Sequence, residues 1–282
     1  MRLNPFNTSN IRVRSGGGGA RKAGGLGCGT IVIAAVAYFV FGADPMQTIG
    51  MVEGVQQGSQ TTQANTNEQE VCTANRYATE TCNALDSLNS TWSGVFTQQG
   101  AQFRDPQLTF INGGNIRTGC GAASSAMGPF YCPADEGIYL DTRFFDQLAQ
   151  MSGEGGDFAR LYVVAHEYGH HIQTITGISD QIRSAQQQNP RAANQLQVLM
   201  ELQADCYAGV WAGKNRSRID PGDIEEGLRA ASAIGDDTLM ERAGQRANPE
   251  SFTHGTSEQR MQALRLGFQG DDRRCDAITN VR

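Results

Sequence analysis

Apolar side chains recur every three or four positions in three long stretches of this chain, which is the spacing of helices with one buried face. The first stretch covers residues 74–96. The second begins at Asp157, which can cap a helix, and ends at Gly177, which suits the residue after one. The third runs from about Pro190 to Trp211. The apolar positions of the first stretch are Tyr77, Leu85, Leu88, Trp92, Val95 and Phe96. These stretches predict three long helices.

Two shorter helices are predicted towards the C-terminus. Gly213 is the expected end of the long helix that precedes them. One short helix follows Asp220 and Pro221, because proline is favoured at the first helical position. The other begins near Thr256, where Gln259 can complete a capping box.

Two short apolar runs between turn residues predict strands, QLTFI at residues 107–111 and GIYLD at residues 137–141. A loop rich in glycine, serine and cysteine, CGAASSAMGPFYCPADE, lies between them. The expected fold class is therefore α+β, mainly helical with a small sheet.

The longest uncharged run, residues 23–43, has the roughly 20 residues that a transmembrane helix needs. All flanking basic side chains precede it, so the positive-inside rule keeps residues 1–22 in the cytoplasm as a basic, disordered tail. Residues 44–70, rich in Gln, Thr, Gly and Asn, are expected to form a flexible linker, and residues 71–282 the folded domain. The expected location is the cytoplasmic membrane, crossed once, with the domain on the extracytoplasmic side.

A cleaved signal peptide and a lipid anchor on Cys28 are two other interpretations of the apolar run. Phe41 and Ala43 fit a cleavage site poorly, and the apolar residues follow Cys28 instead of preceding it. The uncleaved anchor is therefore favoured.

Charge is unevenly distributed along the chain. Residues 1–43 contain five basic and no acidic side chains, and the rest carries 18 basic against 29 acidic ones, a net charge of −11. An acidic domain argues against a nucleic-acid partner, because phosphates favour basic surfaces.

Six of the seven cysteines follow the apolar run, an even number that suggests disulfides in an exported domain. Proximity in sequence favours Cys72–Cys82 and Cys120–Cys132, which leaves Cys206–Cys275. Buried free thiols are the alternative.

Three of only four histidines lie in the sequence HEYGHH, near the centre of the second long helix. Positions four apart share one face of a helix, so His166 and His170 can present two imidazoles to one point, with Glu167 beside it. This is the HExxH arrangement, in which two histidines bind zinc and the glutamate deprotonates the attacking water. A solvated helix face is the alternative, but the preceding apolar LYVVA and the small Gly169 favour a buried site.

A catalytic zinc site needs a third protein ligand and one open position. Gln173 and Thr176 stand where a metzincin motif would have glycine and histidine, which excludes that solution. The third long helix supplies Glu201 as the expected ligand, and Asp205, one turn later, to accept a hydrogen bond from a ligand histidine. An ordinary acidic helix surface is the alternative. Apolar neighbours indicate burial instead, and a buried pair of carboxylates needs a cation.

His254 and Arg260, in SFTHGTSEQR, are candidates for stabilising the transition state. His254 could donate a hydrogen bond to the oxyanion, and Arg260 could hold a substrate carbonyl or the same oxyanion. The alternative is a surface histidine and a solvated arginine. His171 points about 100° away from His170 on a helix, so it is expected to support the site from behind or to lie on the surface.

The segments HEYGHH, ELQAD, GPFYCPAD…IYLD and THGTSEQR together resemble those of the bacterial membrane-anchored family of neutral zinc metallopeptidases. The resemblance covers roughly residues 86–267 and implies a zincin-like fold, one zinc ion and a catalytic Glu167. The zinc ligands that it implies are His166, His170 and Glu201. The later segments are also similar to other HExxH peptidases with a glutamate third ligand, including the CaaX-type membrane peptidases, although Gly255 replaces a proline of that pattern.

The expected function is a zinc endopeptidase that hydrolyses proteins or peptides outside the cytoplasmic membrane, with Glu167 as general base. The alternatives are a non-enzymatic zinc-stabilised scaffold for envelope partners and a metal-assisted hydrolase of a non-peptide amide. The glutamate favours an enzyme, since a structural zinc site needs no base and closes its fourth position. A substrate strand is expected to pair with a sheet edge in YCPADEGIYLD.

Overall fold

The apolar helices form a layer that packs against a small sheet. The computed structural model describes residues 1–16, 67–153 and 155–280. The helices are α1 (Glu68–Cys72), α2 (Arg76–Gln98), α3 (Phe144–Ser152), α4 (Asp157–Ile175), α5 (Ile178–Gln188), α6 (Ala193–Lys214), α7 (Asp223–Ala233), α8 (Asp236–Arg242), α9 (Ser257–Gly267) and α10 (Arg273–Asp276). The strands are β1 (Val13–Ser15), β2 (Gln107–Phe110), β3 (Asn115–Thr118), β4 (Gly121–Ser124), β5 (Phe130–Cys132) and β6 (Gly137–Leu140). The mainly helical α+β class is confirmed for the described residues.

The histidine-bearing helix α4 lies at the centre of the helical layer, in contact with α2, α6 and α7. Its closest crossing is with α6, at Gly169. A Cβ atom on Gly169 would lie 2.8 Å from the main chain of Ala204, so only glycine allows this approach. Close packing at this point brings the ligand-bearing faces of α4 and α6 together.

The predicted helices are present as α2, α4, α6, α7 and α9, with changes at several ends. Pro221 is not the first helical residue of α7, which begins at Asp223, and Pro190 lies in a 3₁₀ turn before α6. Asp157 is the first residue of α4, and Gly156 occupies the capping position. Gly213 does not end α6, which continues to Lys214; its missing side chain instead lets the main chain of Phe268 approach closely. The capping box of Thr256 and Gln259 at the start of α9 is confirmed. Helices α1, α3, α5, α8 and α10 were not predicted.

The main sheet has the order β1-β2-β6-β5, with β5 antiparallel and the other pairs parallel. Strands β2 and β6 confirm the two predicted strands. The region expected to be a loop contains β4 and β5, and β4 forms a separate hairpin with β3, which precedes that region. One sheet face packs on the helices, and the hairpin covers the other. The apolar residues between sheet and hairpin are Ile111, Ile116, Ala123, Met127, Phe130, Cys132 and Tyr139.

The first 16 residues pack against the domain. Strand β1 pairs with β2, with Val13 opposite Leu108. The amino group of Met1 lies 2.9 Å from Asp223 and 3.1 Å from Asp157 at the start of α4. The expectation of a disordered tail is therefore wrong for residues 1–16, because strand pairing and ionic contacts order them.

The expected anchor at residues 23–43, the linker up to residue 66 and Cys28 lie outside the described residues. Among the residues that are described, no helix has the length and apolar character needed to span a membrane. The C-terminal end of the expected linker belongs to α1, which begins at Glu68.

Three disulfides confirm the pairing that sequence proximity favoured. Cys72–Cys82 joins α1 to α2, and Cys120–Cys132 joins the β3–β4 turn to β5. Cys206–Cys275 joins α6 to α10, so the C-terminal region is tied to the helix that carries Glu201.

Candidate metal centre

Helices α4 and α6 bring His166, His170 and Glu201 to one point. Oε2 of Glu201 lies 3.1 Å from Nε2 of His166 and 3.6 Å from Nε2 of His170. One ligand atom from each of the three residues lies within 4.8 Å of the others. The two histidines are one turn apart on α4, and the crossing at Gly169 supplies the carboxylate from α6.

The orientation of His166 is determined by a buried charged cluster. Its Nδ1–H donates to Oδ1 of Asp205 over 2.7 Å, and Tyr162 donates to the same oxygen over 2.6 Å. Arg260 binds both carboxylate oxygens of Asp205, over 2.8 and 3.0 Å. Because Nδ1 carries the proton that Asp205 accepts, Nε2 is the nitrogen that faces Glu201.

The orientation of His170 is determined by uncharged amides. Nδ1–H of His170 donates to Oε1 of Gln173 over 2.8 Å. Nε2 of Gln173 donates to the Met200 carbonyl and to Oε1 of Gln203, over 2.7 and 3.0 Å. The Gln173 amide is thereby oriented with its oxygen towards the imidazole, and Nε2 of His170 also faces Glu201.

This donor set fits a zinc ion. Atoms at about 2.0–2.1 Å from a tetrahedral zinc are about 3.3 Å apart, which lies between the 3.1 and 3.6 Å that separate the two nitrogens from Glu201. Burial alone would lower the pKa of His166, but Asp205 and Glu201 raise it to about 10. The carboxylates thus stabilise a positive charge at the point where the metal would bind. When the histidines are neutral, the buried charged groups are the three carboxylates of Glu167, Glu201 and Asp205 and the single guanidinium of Arg260. The remaining two negative charges are balanced by a divalent cation.

Glu167 lines a cavity of about 210 Å³ that opens in front of the three ligand side chains. It lies one position after His166, and its side chain is buried. Burial raises the pKa of its carboxyl group, and the nearby histidines only partly offset this effect. A carboxylate with a raised pKa beside an open metal position is suited to accept a proton.

His254 also lines the cavity, and its orientation is determined by Asp236, the first residue of α8. Oδ1 of Asp236 accepts a hydrogen bond from Nδ1 of His254 over 3.1 Å, while Oδ2 accepts from the main-chain N–H groups of Thr253, His254 and Gly255. Burial alone would raise the pKa of Asp236, but His254 and these N–H groups lower it. Gly255 has φ +88°, which the proline of the CaaX-type pattern could not adopt.

Arg260 is oriented differently from the sequence-based expectation. Its side chain is 2% exposed, and its nitrogens donate to Asp205, to Tyr162 and to the Ile234 carbonyl. These contacts direct the guanidinium at Asp205 behind His166. The placement therefore fits neutralisation of Asp205, and because Arg260 also lines the cavity, its contact with a substrate carbonyl or the oxyanion stays a prediction.

His171 supports the site from behind, which was one of its two expected positions. Its Nε2–H donates to the Arg104 carbonyl over 2.6 Å, so Nδ1 accepts from the hydroxyl of Tyr131, 3.1 Å away. Burial lowers the pKa of His171 to about 4, which keeps the ring neutral. This imidazole connects α4 to strand β5.

Residues 5–278 match a family profile described as "Putative neutral zinc metallopeptidase". The chain belongs to this family. An Escherichia coli K12 relative, named Uncharacterized protein YpfJ, is 41% identical over 269 residues, covering 93% of this chain and 90% of its own. Uncharacterized protein Rv2575 of Mycobacterium tuberculosis is 40% identical over 208 residues, covering 69% and 68%. No solved structure matches significantly.

Membership of this zinc metallopeptidase family supports zinc as the metal of the site. Sequence reasoning did not assign roles to Tyr162, Gln173 or Asp236. Tyr162 lies four positions before His166 and Gln173 three positions after His170, so helical spacing could have indicated both. Asp236 lies 18 positions before His254, and no local spacing indicates their contact.

Proposed function

We propose that the protein is a zinc-dependent endopeptidase in which Glu167 is the general base. The observation that carries the proposal is the position of Glu167 in the cavity onto which His166, His170 and Glu201 converge. A structural zinc site would be closed by a fourth protein ligand, whereas this site faces an open cavity. This arrangement favours the enzyme over the scaffold.

One zinc ion bound by these three residues would activate a water molecule and polarise the scissile carbonyl. Glu167 would accept the proton from that water and deliver it to the leaving amine, which its raised pKa favours. His254, with both ring nitrogens protonated, would donate a hydrogen bond from Nε2 to the developing oxyanion while its Nδ1–H is held by Asp236.

The outer edge of strand β5 would bind the substrate main chain. The carbonyl groups of Glu136, just before β6, and of Leu140 in β6 accept hydrogen bonds from the β2 side. Because main-chain groups alternate in direction along a strand, Gly137 and Tyr139 bond to β5 instead. The residue between their partners is Tyr131, so its N–H and C=O point away from β6, and Tyr131 is also one of the residues that line the cavity. A peptide strand could pair there beside Glu167.

An extracytoplasmic location of the domain is also proposed, on the support of its three disulfides, which persist in oxidising compartments. Since β1 pairs with β2, residues 1–16 would lie in the same compartment as the domain. A single membrane crossing by residues 23–43 would place residues 1–16 and the domain on opposite sides of the membrane, which is incompatible with the pairing of β1 with β2. Labelling of a cysteine introduced at exposed Ser9 with a membrane-impermeant reagent, in intact cells or spheroplasts, would report the compartment of this segment.

The proposed activity is tested with a zinc-loaded, unfolded protein substrate. Glu167→Gln should lower kcat by about 10²- to 10⁴-fold while the protein retains stoichiometric zinc, because the ligands are intact and only the base is lost. Glu258→Gln, an exposed position on α9, is the matched control and should cleave like the wild type. Fully zinc-loaded wild type that cleaves no peptide bond would favour the scaffold or the non-peptide amide hydrolase.

A further inference from the structure

The cavity runs along one face of α4 and has two ends of different chemistry. Val163, His166, His170 and Thr174 line it at successive turns of the helix. Val163 and Thr174 are 11 positions apart, a rise of about 16 Å along the helix, with the metal ligands near the middle. When a peptide is bound across the metal, the side chains before and after the scissile bond would therefore lie at opposite ends of the cavity.

The end beside Val163 is apolar. The side chains that line it come from α3, α4, α8 and the residue after α7. We call the apolar end the set Phe144, Met151, Val163, Ile234 and Leu239. A large apolar substrate side chain would be buried here, whereas a charged one would lose its hydration. Arg260 also lines the cavity and donates to the Ile234 carbonyl, but its other nitrogens are already bonded to Asp205 and Tyr162.

The end beside Thr174 is mixed. The polar residues that line it are Thr174, Ser179, Arg183, Gln186 and Gln197, together with the apolar Ile182 and Met200. Arg183 is 3.6 Å from Asp180 and 39% exposed, so this end remains hydrated and contains a cation. Polar and acidic side chains can be accommodated here.

The strand edge contributes little selectivity. Pro129 and Pro133 flank β5, and proline has no N–H to donate, so Tyr131 offers the one outward N–H between them. Main-chain pairing is also independent of the substrate sequence. Selectivity must therefore come from the side-chain pockets.

We propose that the cleft selects extended polypeptide segments with one large apolar side chain, held at the apolar end, on one side of the scissile bond only. This inference rests on the proposed peptidase function. Large apolar side chains are mostly buried in folded proteins, so the substrate class is unfolded or partly unfolded polypeptide.

The test is a cleavage-site map of a random peptide mixture, read by mass spectrometry. The wild type should prefer Leu, Phe, Met or Ile over Ser at one subsite beside the scissile bond, by about 10- to 100-fold in kcat/KM, and show no such preference at the opposite subsite. Met151→Arg, at a partly exposed position, should reduce that preference and admit Asp or Glu there. Arg183→Met, at the mixed end, is the matched control and should leave the preference for a large apolar side chain at the apolar end unchanged.

A binding measurement separates this inference from the peptidase proposal. Zinc-loaded Glu167→Gln is titrated with fluorescent peptides that differ only by Phe or Ser at one position. Preference for Phe without cleavage by the wild type would support the cleft assignment and overturn the peptidase. Cleavage without apolar preference, or equal effects of Met151→Arg and Arg183→Met, would overturn the cleft assignment and leave the peptidase standing. Neither cleavage nor preference would overturn both.

Discussion

The two histidines that face Glu201 are supported by environments of opposite character. His166 donates to Asp205, a carboxylate that also binds the guanidinium of Arg260. His170 donates to Gln173, a neutral amide. Both supports orient Nε2 towards the same carboxylate, but one does so with buried charges and the other without any.

The difference shows how the site is connected to the rest of the fold. The charged support joins α4 and α6 to α9 through Arg260, in the buried core. The neutral support continues from Gln173 to Gln203, whose amide donates to the Cys275 carbonyl and to Thr279 near the C-terminus. The first therefore carries a large energetic penalty if one member is lost, and the second a small one.

Asp205→Ala is expected to have the largest effect. It leaves the guanidinium of Arg260 buried without its carboxylate, so the zinc-free protein should lose about 3–5 kcal/mol in its free energy of unfolding, measured with urea. The double variant Asp205→Ala/Arg260→Met removes both charges and should recover a substantial part of the loss. A cost below about 1 kcal/mol for Asp205→Ala would show that the ion pair does not hold this region together.

Acid should lower the free energy of unfolding through the charged support but not through the neutral one. This loss should be smaller than that caused by Asp205→Ala. Burial alone would raise the pKa of Asp205, but Arg260 and His166 lower it to about 2. A carboxyl group with a lowered folded-state pKa adds stability above its unfolded pKa, near 4, and this contribution is lost as the pH falls through about 2. The loss amounts to about 2 kcal/mol.

The measurement is urea unfolding of the zinc-free protein between pH 4 and pH 2. Gln173→Met should keep the acid-dependent loss of the wild type, since an amide does not titrate in this range. For Asp205→Asn, the free energy of unfolding should fall less over this pH range than it does for the wild type, by about 2 kcal/mol. Equal slopes for the wild type and Asp205→Asn would contradict the lowered pKa of this carboxyl group.

The long helices and the HExxH face follow from short-range spacing, which is why the sequence predicts them. Glu201 could be inferred because apolar neighbours indicated a buried carboxylate on α6. Strand β5 could not, since the three residues Phe130–Cys132 become a strand only through pairing with β6. Strand β1 likewise depends on β2, more than 90 positions later.

The direction in which Arg260 points is a property of packing between helices. Its spacing from His254 suggested a shared role in the cleft, but gave no sign that the guanidinium also binds the buried Asp205 behind His166. Asp236 gave no signal because an acidic residue at the start of a helix is common. Its contact with His254 exists only because residues 253–255 fold over the start of α8.

Gln173→Met is expected to have the smallest effect of the three. The variant keeps the size of the side chain but removes the acceptor for Nδ1 of His170, so the imidazole is less firmly oriented. Loss of such an outer partner weakens metal binding by about 10- to 100-fold. Because Gln173 is a neutral acceptor and supports only one of the two histidines, the loss of zinc affinity should lie near tenfold, about 1.4 kcal/mol. Zinc affinity is measured by competition with a chromophoric chelator, with Gln188→Met at an exposed position as the control. If Gln173→Met lost as much zinc affinity as Asp205→Ala does in the same measurement, the distinction between the two supports would be removed.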